Sequence, residues 1–112
     1  MELTIKDRLV IGGFFKAEGN EEEILLQRAI REKCEITENE KESVELKFDK
    51  ESGSYAWEEE KDSPVDIKLS PKELTYLDKR REALNTESKM NDMLIDTALK
   101  IKKEANEWEL TQ

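Results

Sequence analysis

Four helix-start signals of one kind divide this chain of 112 residues. In each signal, a residue whose side chain can cap a helix is followed three positions later by an acid that can complete a capping box. The capping residues are Thr4, Asn20, Thr37 and Ser70. Pro71 strengthens the last signal, because proline suits the first turn of a helix. The signals predict helices that begin near these four residues, the third of them short and spanning about 37–43.

The apolar residues between the first two signals contain a glycine pair, Gly12-Gly13. Each glycine costs a helix roughly 1 kcal/mol relative to alanine. Either another backbone packs closely against the pair or the helix bends there, and close packing is what we expect. The helix after Asn20 is the clearest in the chain, because apolar residues recur at helical spacing from Leu26 to Cys34.

Between residues 44 and 69 the apolar period changes from helical to alternating, as in half-buried strands. Three alternating runs hold Val44, Leu46 and Phe48, then Tyr55 and Trp57, then Val65, Ile67 and Leu69. Turn residues at 51–54 and 62–64 separate the runs. We expect a central three-stranded antiparallel β-meander. With N-terminal helices before it and two C-terminal helices after it, the fold class is α+β.

The last helical pattern is long and predicts a helix at about 88–108. The chain has the size of one domain, so residues 1–112 are expected to form a single domain from which this helix can extend. The apolar face of the helix carries Met90, Met93, Ile101 and Trp108. Met and Trp are frequent at protein interfaces, so these residues are candidates for partner binding. The same face would serve equally well inside the chain's own core.

Acidic residues dominate the chain, with 28 acids against 19 bases and a net charge of −9. Residues 35–62 hold eleven of the acids and four bases, a net of −7. This field repels phosphate, so we expect no direct binding of nucleic acid and no binding of an anionic membrane. The acidic third helix also argues against a winged-helix DNA reader.

The run Glu58-Glu59-Glu60 is the second candidate for partner binding, because it can attract a basic protein surface. In a strand, Glu58 and Glu60 share a face and could hold a hard cation together with Asp62. Nothing in the run resembles a calcium-binding EF-hand loop. A solvated acidic strand edge is the simpler interpretation, so no metal site is predicted.

Residues that support common enzyme chemistry are scarce. The chain has no histidine and one cysteine, which removes the commonest general base and most zinc sites. Cys34 lies at a helix end between Glu32 and Glu35, where a thiolate is disfavoured, so we expect a structural thiol. No phosphate-binding or nucleophile-elbow motif occurs. We predict no catalytic residues, no cofactor and no enzyme activity.

The cysteine count and the apolar runs also bear on location. A lone cysteine allows no disulfide within the chain. The N-terminal segment lacks the features of a secretory signal, and no apolar run approaches the ~20 residues that span a bilayer. We expect a cytoplasmic protein without membrane contact.

Three segments carry a resemblance to known proteins: LTIKDRLVIGGFFKAEGN near the start, the Trp-containing strand in SYAWEEE, and VDIKLSPKELTYLDKRREAL. Their order resembles that of small accessory proteins, of uncharacterised function, encoded by tailed bacteriophages and prophages. The resemblance covers most of the chain. It implies a viral source, the host cytoplasm as location and a small accessory role, without activity or catalytic residues.

We therefore expect a non-enzymatic accessory protein that binds another protein or assembles with itself. An acidic inhibitor that blocks a nucleic-acid-binding host or defence protein is the alternative. Basic residues at 79–81 and 100–103 allow a third pattern, in which the C-terminal helices of one copy meet the acidic segment of another. Binding of a small signalling molecule between subunits also stays open.

Overall fold

The computed structural model describes residues 1–111. Its α-helices are α1 (Ile5–Val10), α2 (Glu21–Lys33), α3 (Glu38–Ser43), α4 (Pro71–Thr86) and α5 (Ile95–Leu110), with 3-10 helices at Ile11–Phe14 and Glu59–Lys61. Its strands are β1 (Glu2–Leu3), β2 (Lys47–Asp49), β3 (Ser54–Ala56) and β4 (Val65–Asp66). The α+β class predicted from the change of apolar period is confirmed.

All four predicted helix starts are confirmed. At each one, the capping side chain accepts a hydrogen bond from the backbone three residues later, and the acid at that position accepts one from the capping residue's backbone. The pairs are Thr4 with Asp7, Asn20 with Glu23, Thr37 with Glu40, and Ser70 with Glu73. Because both bonds are local in sequence, these signals do not depend on how the rest of the chain packs.

The predicted three-stranded meander is wrong. β2 and β3 form a two-stranded antiparallel hairpin in which Phe48 is paired with Tyr55. β4 does not join them and pairs instead with β1, with Leu3 opposite Val65. The 3-10 helix Glu59–Lys61 interrupts the extended chain after β3, so the third alternating run cannot turn back onto the hairpin.

Asp62 holds the start of the third run beside the N-terminal segment. Its carboxylate accepts hydrogen bonds from the backbone N–H of Ile5 at 3.0 and 3.1 Å. The N–H groups in the first turn of a helix lack partners within the helix, so Asp62 satisfies one of them in α1. The pairing of β4 with β1 places Leu3 in the core, where it is fully buried.

One hydrophobic core lies between α2, α4, α5 and the N-terminal segment, with α4 packed against both other long helices. Its largest fully buried side chains include Leu3, Phe14, Ile30, Leu77 and Ile101. Within residues 1–111, no backbone packs closely against the glycine pair; the close neighbour is a side chain, and it lies at Gly13 alone. A Cβ atom on Gly13 would lie 2.7 Å from Leu94 Cδ2, whereas one on Gly12 would meet nothing within 4 Å.

The helix predicted at about 88–108 begins later, at Ile95. Ser88 adopts a left-handed conformation with φ of 57° and ends α4. Lys89 N–H then donates to Leu84 O at 2.8 Å, which closes the helix end in the manner of a Schellman motif. α5 buries residues such as Ala98 and Ile101 and so forms part of the domain core. Within residues 1–111, no helix has the length and apolar character needed to cross a membrane.

A buried carboxylate joins the first helix to the last. Asp7 is 3% exposed and accepts hydrogen bonds from Thr97 Oγ1 at 2.5 Å, from Thr4 N–H at 3.0 Å and from Lys100 Nζ. Burial by itself raises the pKa of Asp7, but the bonds from Lys100 and Thr97 outweigh it and hold the pKa below its usual range. The carboxylate therefore stays charged and paired.

Candidate interaction surfaces

The hairpin formed by β2 and β3 has no buried face. Every residue from 47 to 56 is exposed. The rings of Phe48 and Tyr55 stack across the two strands with centroids 4.9 Å apart, yet these residues remain 53% and 49% exposed. A two-stranded hairpin is marginally stable by itself, and a bond from Glu58 N–H to Val44 O at 2.7 Å ties its base to the domain. The aromatic pair is an apolar cluster that the rest of the chain leaves uncovered.

This pair was not among the predicted site residues. The alternation of residues 44–48 indicated one buried strand face, but burial decreases along the strand. Val44 is buried, Leu46 is half-buried and Phe48 is exposed. The alternating pattern reports which side chains share a face, not whether another layer covers that face. The sequence did hold a signal for this exposure. The hairpin segment is rich in acids, and charged groups are costly to bury, so neither face of the hairpin is expected to be covered.

The segment that carries the aromatic pair is rich in acids. Residues 45–60, named here the acidic hairpin, carry six acids and two lysines, a net of −4. The predicted site residues Glu58, Glu59 and Glu60 are all exposed. Glu58 pairs with Lys61 at 3.1 Å, and in residues 1–111 neither Glu59 nor Glu60 forms an ion pair. The three carboxylates lie at the base of the hairpin, beside its aromatic centre.

The cation site considered for these acids is not assembled. Glu59 and Glu60 lie in a 3-10 helix, so Glu58 and Glu60 do not share a strand face. Asp62 instead binds the backbone of Ile5. In the described part of the chain, no group of three or more acidic, cysteine or histidine side chains is placed to hold a metal ion.

The four apolar residues predicted for partner binding do not form one surface. Met90 packs against the core from the loop before α5, and Ile101 is fully buried in that core and unavailable to a partner. Trp108 is half-buried at the far end of α5, and only Met93, at 64%, is largely exposed. The apolar period of the sequence placed these residues on one face of a single helix. Because residues 90–94 form a loop before α5, Met90 and Met93 do not continue the face on which Ile101 lies.

A different apolar group is exposed where α5 begins. Ile95 and Leu99, one helical turn apart, are 36% and 56% exposed, and Met93 precedes them. We call these three residues the α5 patch. On α5, Ile95 and Leu99 lie at the border of the face whose residues Ala98 and Ile101 enter the core.

Trp108 borders a cleft of about 600 Å³ between α2, α4 and the segment that precedes α2. Gln27, which is 4% exposed, lies behind the lining and connects two of its residues. The Gln27 amide exchanges bonds of 2.8 and 3.0 Å with the backbone of Lys16 and accepts one of 2.6 Å from Tyr76 Oη. Burial raises the pKa of Tyr76, so its hydroxyl remains a donor. The cleft is held in shape by buried hydrogen bonds.

The lining of this cleft is basic, although the protein is acidic. Its charged residues are Lys16, Lys72, Lys79 and Arg80 against Glu22 and Glu23, a net of +2. Lys16 pairs with Glu23 at 2.6 Å and Lys72 with Glu22 at 3.3 Å. Within residues 1–111, Lys79 and Arg80 have no carboxylate partner, and Arg80 Nε donates to Phe14 O at 3.0 Å. We call this site the basic cleft.

Cys34 is a buried thiol, as predicted. It is 4% exposed, and burial raises its pKa to about 11. The thiol is therefore protonated at neutral pH and a poor nucleophile. It lies at the C-terminal end of α2 beside a second groove, to which Leu46 and Tyr55 of the acidic hairpin also contribute.

Comparison of this chain with protein-family models, with curated proteins and with solved structures finds no match. Residues 1–111 have an α+β fold on which three exposed features stand out. They are the acidic hairpin, the basic cleft and the α5 patch.

Proposed function

We propose that this protein is a non-enzymatic accessory protein of the phage type, and that it binds protein through the acidic hairpin. The observation that carries the proposal is the half-exposed Phe48–Tyr55 pair within a segment rich in acids. Protein interfaces commonly have an aromatic centre and a polar rim. An acidic rim favours a basic partner and speeds the encounter with it.

Three features of the chain support a role without catalysis. No histidine is available as a general base. The only cysteine is buried with a raised pKa, so it is a poor nucleophile. The carboxylates with the strongest interactions, such as Asp7, are bound to other residues of the fold.

A capture experiment with two matched variants tests the hairpin. Phe48→Ser with Tyr55→Ser removes its aromatic centre, and Met93→Ser with Leu99→Ser removes equally exposed apolar residues from the α5 patch. Tagged protein is incubated with nuclease-treated bacterial lysate and also with untagged copies of itself. We expect the hairpin variant to lose what the wild type retains and the α5 variant to keep it. The reverse result would move the binding surface to α5.

The acidic inhibitor remains the second candidate function, and the observation that favours it is the exposed run Glu58–Glu60. Closely spaced carboxylates can occupy a site that binds phosphates, and such contacts weaken as salt is raised. We expect a basic nucleic-acid-binding protein to be retained at low salt and lost at high salt. Reversal of these three charges to lysine should abolish its retention; unchanged retention would exclude the inhibitor.

A further inference from the structure

We propose that the acidic hairpin of one copy docks into the basic cleft of a second copy, so that the protein assembles head to tail. The inference rests on the proposed function, because it names the partner of the same hairpin. Both surfaces belong to one chain and carry opposite charge, −4 on the acidic hairpin and +2 in the basic cleft. Complementary charge of this kind orients the partners and stabilises their contact.

The apolar parts of the two surfaces also match. Leu26, Pro71 and Trp108 contribute the apolar lining of the cleft. The acidic hairpin presents two aromatic rings in a segment that holds six acids. Aromatic rings favour offset or edge-to-face contacts with one another, so Trp108 is a suitable partner for Phe48 or Tyr55. The exposed acids would then face Lys79 and Arg80, the two cations of the cleft lining that form no ion pair within residues 1–111.

The two surfaces lie at opposite ends of α2. The cleft contacts α2 near Glu22 and Leu26, in its N-terminal half. Tyr55 lies beside Arg31 and Cys34, at the C-terminal end. The thirteen residues of α2 separate the two ends by about 20 Å. The acidic hairpin therefore cannot fill the cleft of its own chain.

A contact between two different surfaces has a defined consequence. When two copies associate, one of them still has a free hairpin and the other a free cleft. Association therefore continues into a ring or an open filament and does not stop at a symmetric dimer. The net charge of −9 opposes this growth. Association is therefore expected to be strongest near 0.1 M salt, where a Debye length of about 10 Å screens distant charges but not direct contacts.

Charge exchange between the two surfaces tests the contact by sedimentation velocity. Glu58→Lys, Glu59→Lys and Glu60→Lys together change the charge of the acidic hairpin from −4 to +2, and Lys72→Glu with Lys79→Glu change that of the basic cleft from +2 to −2; all five residues are exposed. We expect the wild-type mass to rise above the monomer's 13.1 kDa with concentration. Each variant alone should associate at least about tenfold more weakly. An equimolar mixture should recover association, because each altered surface then meets its complement.

A control variant separates this contact from general charge effects. Lys102→Glu with Lys103→Glu makes the same charge change as the cleft variant, on exposed positions of α5. This control variant should associate as the wild type does. Mixed with the hairpin variant, it should not restore association in the way that the cleft variant does. A monomeric wild type, or a mixture that does not recover, would overturn the inference. The proposed function would survive that result if removal of Phe48 and Tyr55 still abolished capture of another protein. It would fall with the inference if capture were unchanged.

Discussion

Arg8 is a charged residue held almost entirely out of water, with 1% of its side chain exposed. Its guanidinium makes two bonds to the Glu40 carboxylate and a longer one, of 3.4 Å, to Glu35 O. These contacts join α1 to α3. Hydrogen bonds from Arg8 lower the pKa of Glu40 from its ordinary 4.5 to about 2.

Replacement of Glu40 by glutamine should lower the free energy of unfolding by about 2 kcal/mol at neutral pH, because it leaves a buried guanidinium without its counter-charge. Urea unfolding measures the loss. Glu38→Gln is the matched control, since Glu38 is an exposed partner of Lys41 and its removal should change stability by less than about 0.5 kcal/mol.

The same pair predicts the acid sensitivity of the fold. Because the pKa of Glu40 is lower in the folded protein than in the unfolded chain, its contribution is fully present above about pH 5 and is lost as the pH falls towards 2. Between neutral pH and about pH 3, wild type should lose more stability than Glu40→Gln. Equal losses would show that Arg8 does not stabilise this carboxylate.

At the scale of single elements, helix starts were predictable because their hydrogen bonds span three residues. Strand partners were not. β4 pairs with β1 through residues such as Asp66 and Glu2, which lie far apart in sequence, and no local pattern encodes that choice. The start of α5 had a signal that the apolar period concealed. Asn91 Oδ1 accepts a bond from Leu94 N–H at 3.0 Å, as an N-cap side chain does.

The candidate surfaces were predictable only in part, for the same reason. The exposed run at Glu58–Glu60 follows from composition. The basic cleft does not, because Gln27 and Tyr76 meet across separate helices and nothing near either residue specifies the other. The apolar period placed Ile101 and Met93 on one face, and only the loop before Ile95 separates them.

The end of α4 gives a prediction at this scale. Ser88 occupies a left-handed position that costs a side chain about 1–2 kcal/mol and that glycine adopts freely. After allowance for glycine's larger chain entropy, Ser88→Gly should raise the free energy of unfolding by about 0.5–1 kcal/mol. Ala83→Gly, inside the same helix, should lower it by about 1 kcal/mol. If thermal denaturation showed Ser88→Gly to be destabilising, the described helix end would be incorrect.

At the scale of the whole molecule, α5 completes the core with one part of its surface and leaves apolar residues exposed on another. Ile101 is fully buried and Leu99 is 56% exposed. Ile101→Ala should therefore cost about 3 kcal/mol through lost packing and a residual cavity. Leu99→Ala should change stability by less than about 0.5 kcal/mol. Chemical denaturation of the two variants compares them directly, and similar losses would contradict the packing of α5 described above.

The bonds of Asp7 have a consequence for how the chain is made. Ile5 and Asp7 find partners 57, 90 and 93 positions further along, in Asp62, Thr97 and Lys100. A ribosome releases the N-terminal segment first, so these partners do not yet exist when α1 emerges. α2 and α4 have their capping boxes within reach and can form turns during synthesis. The N-terminal segment can complete its contacts only after residue 100 has left the exit tunnel. Until then this segment is exposed to chaperones and proteases.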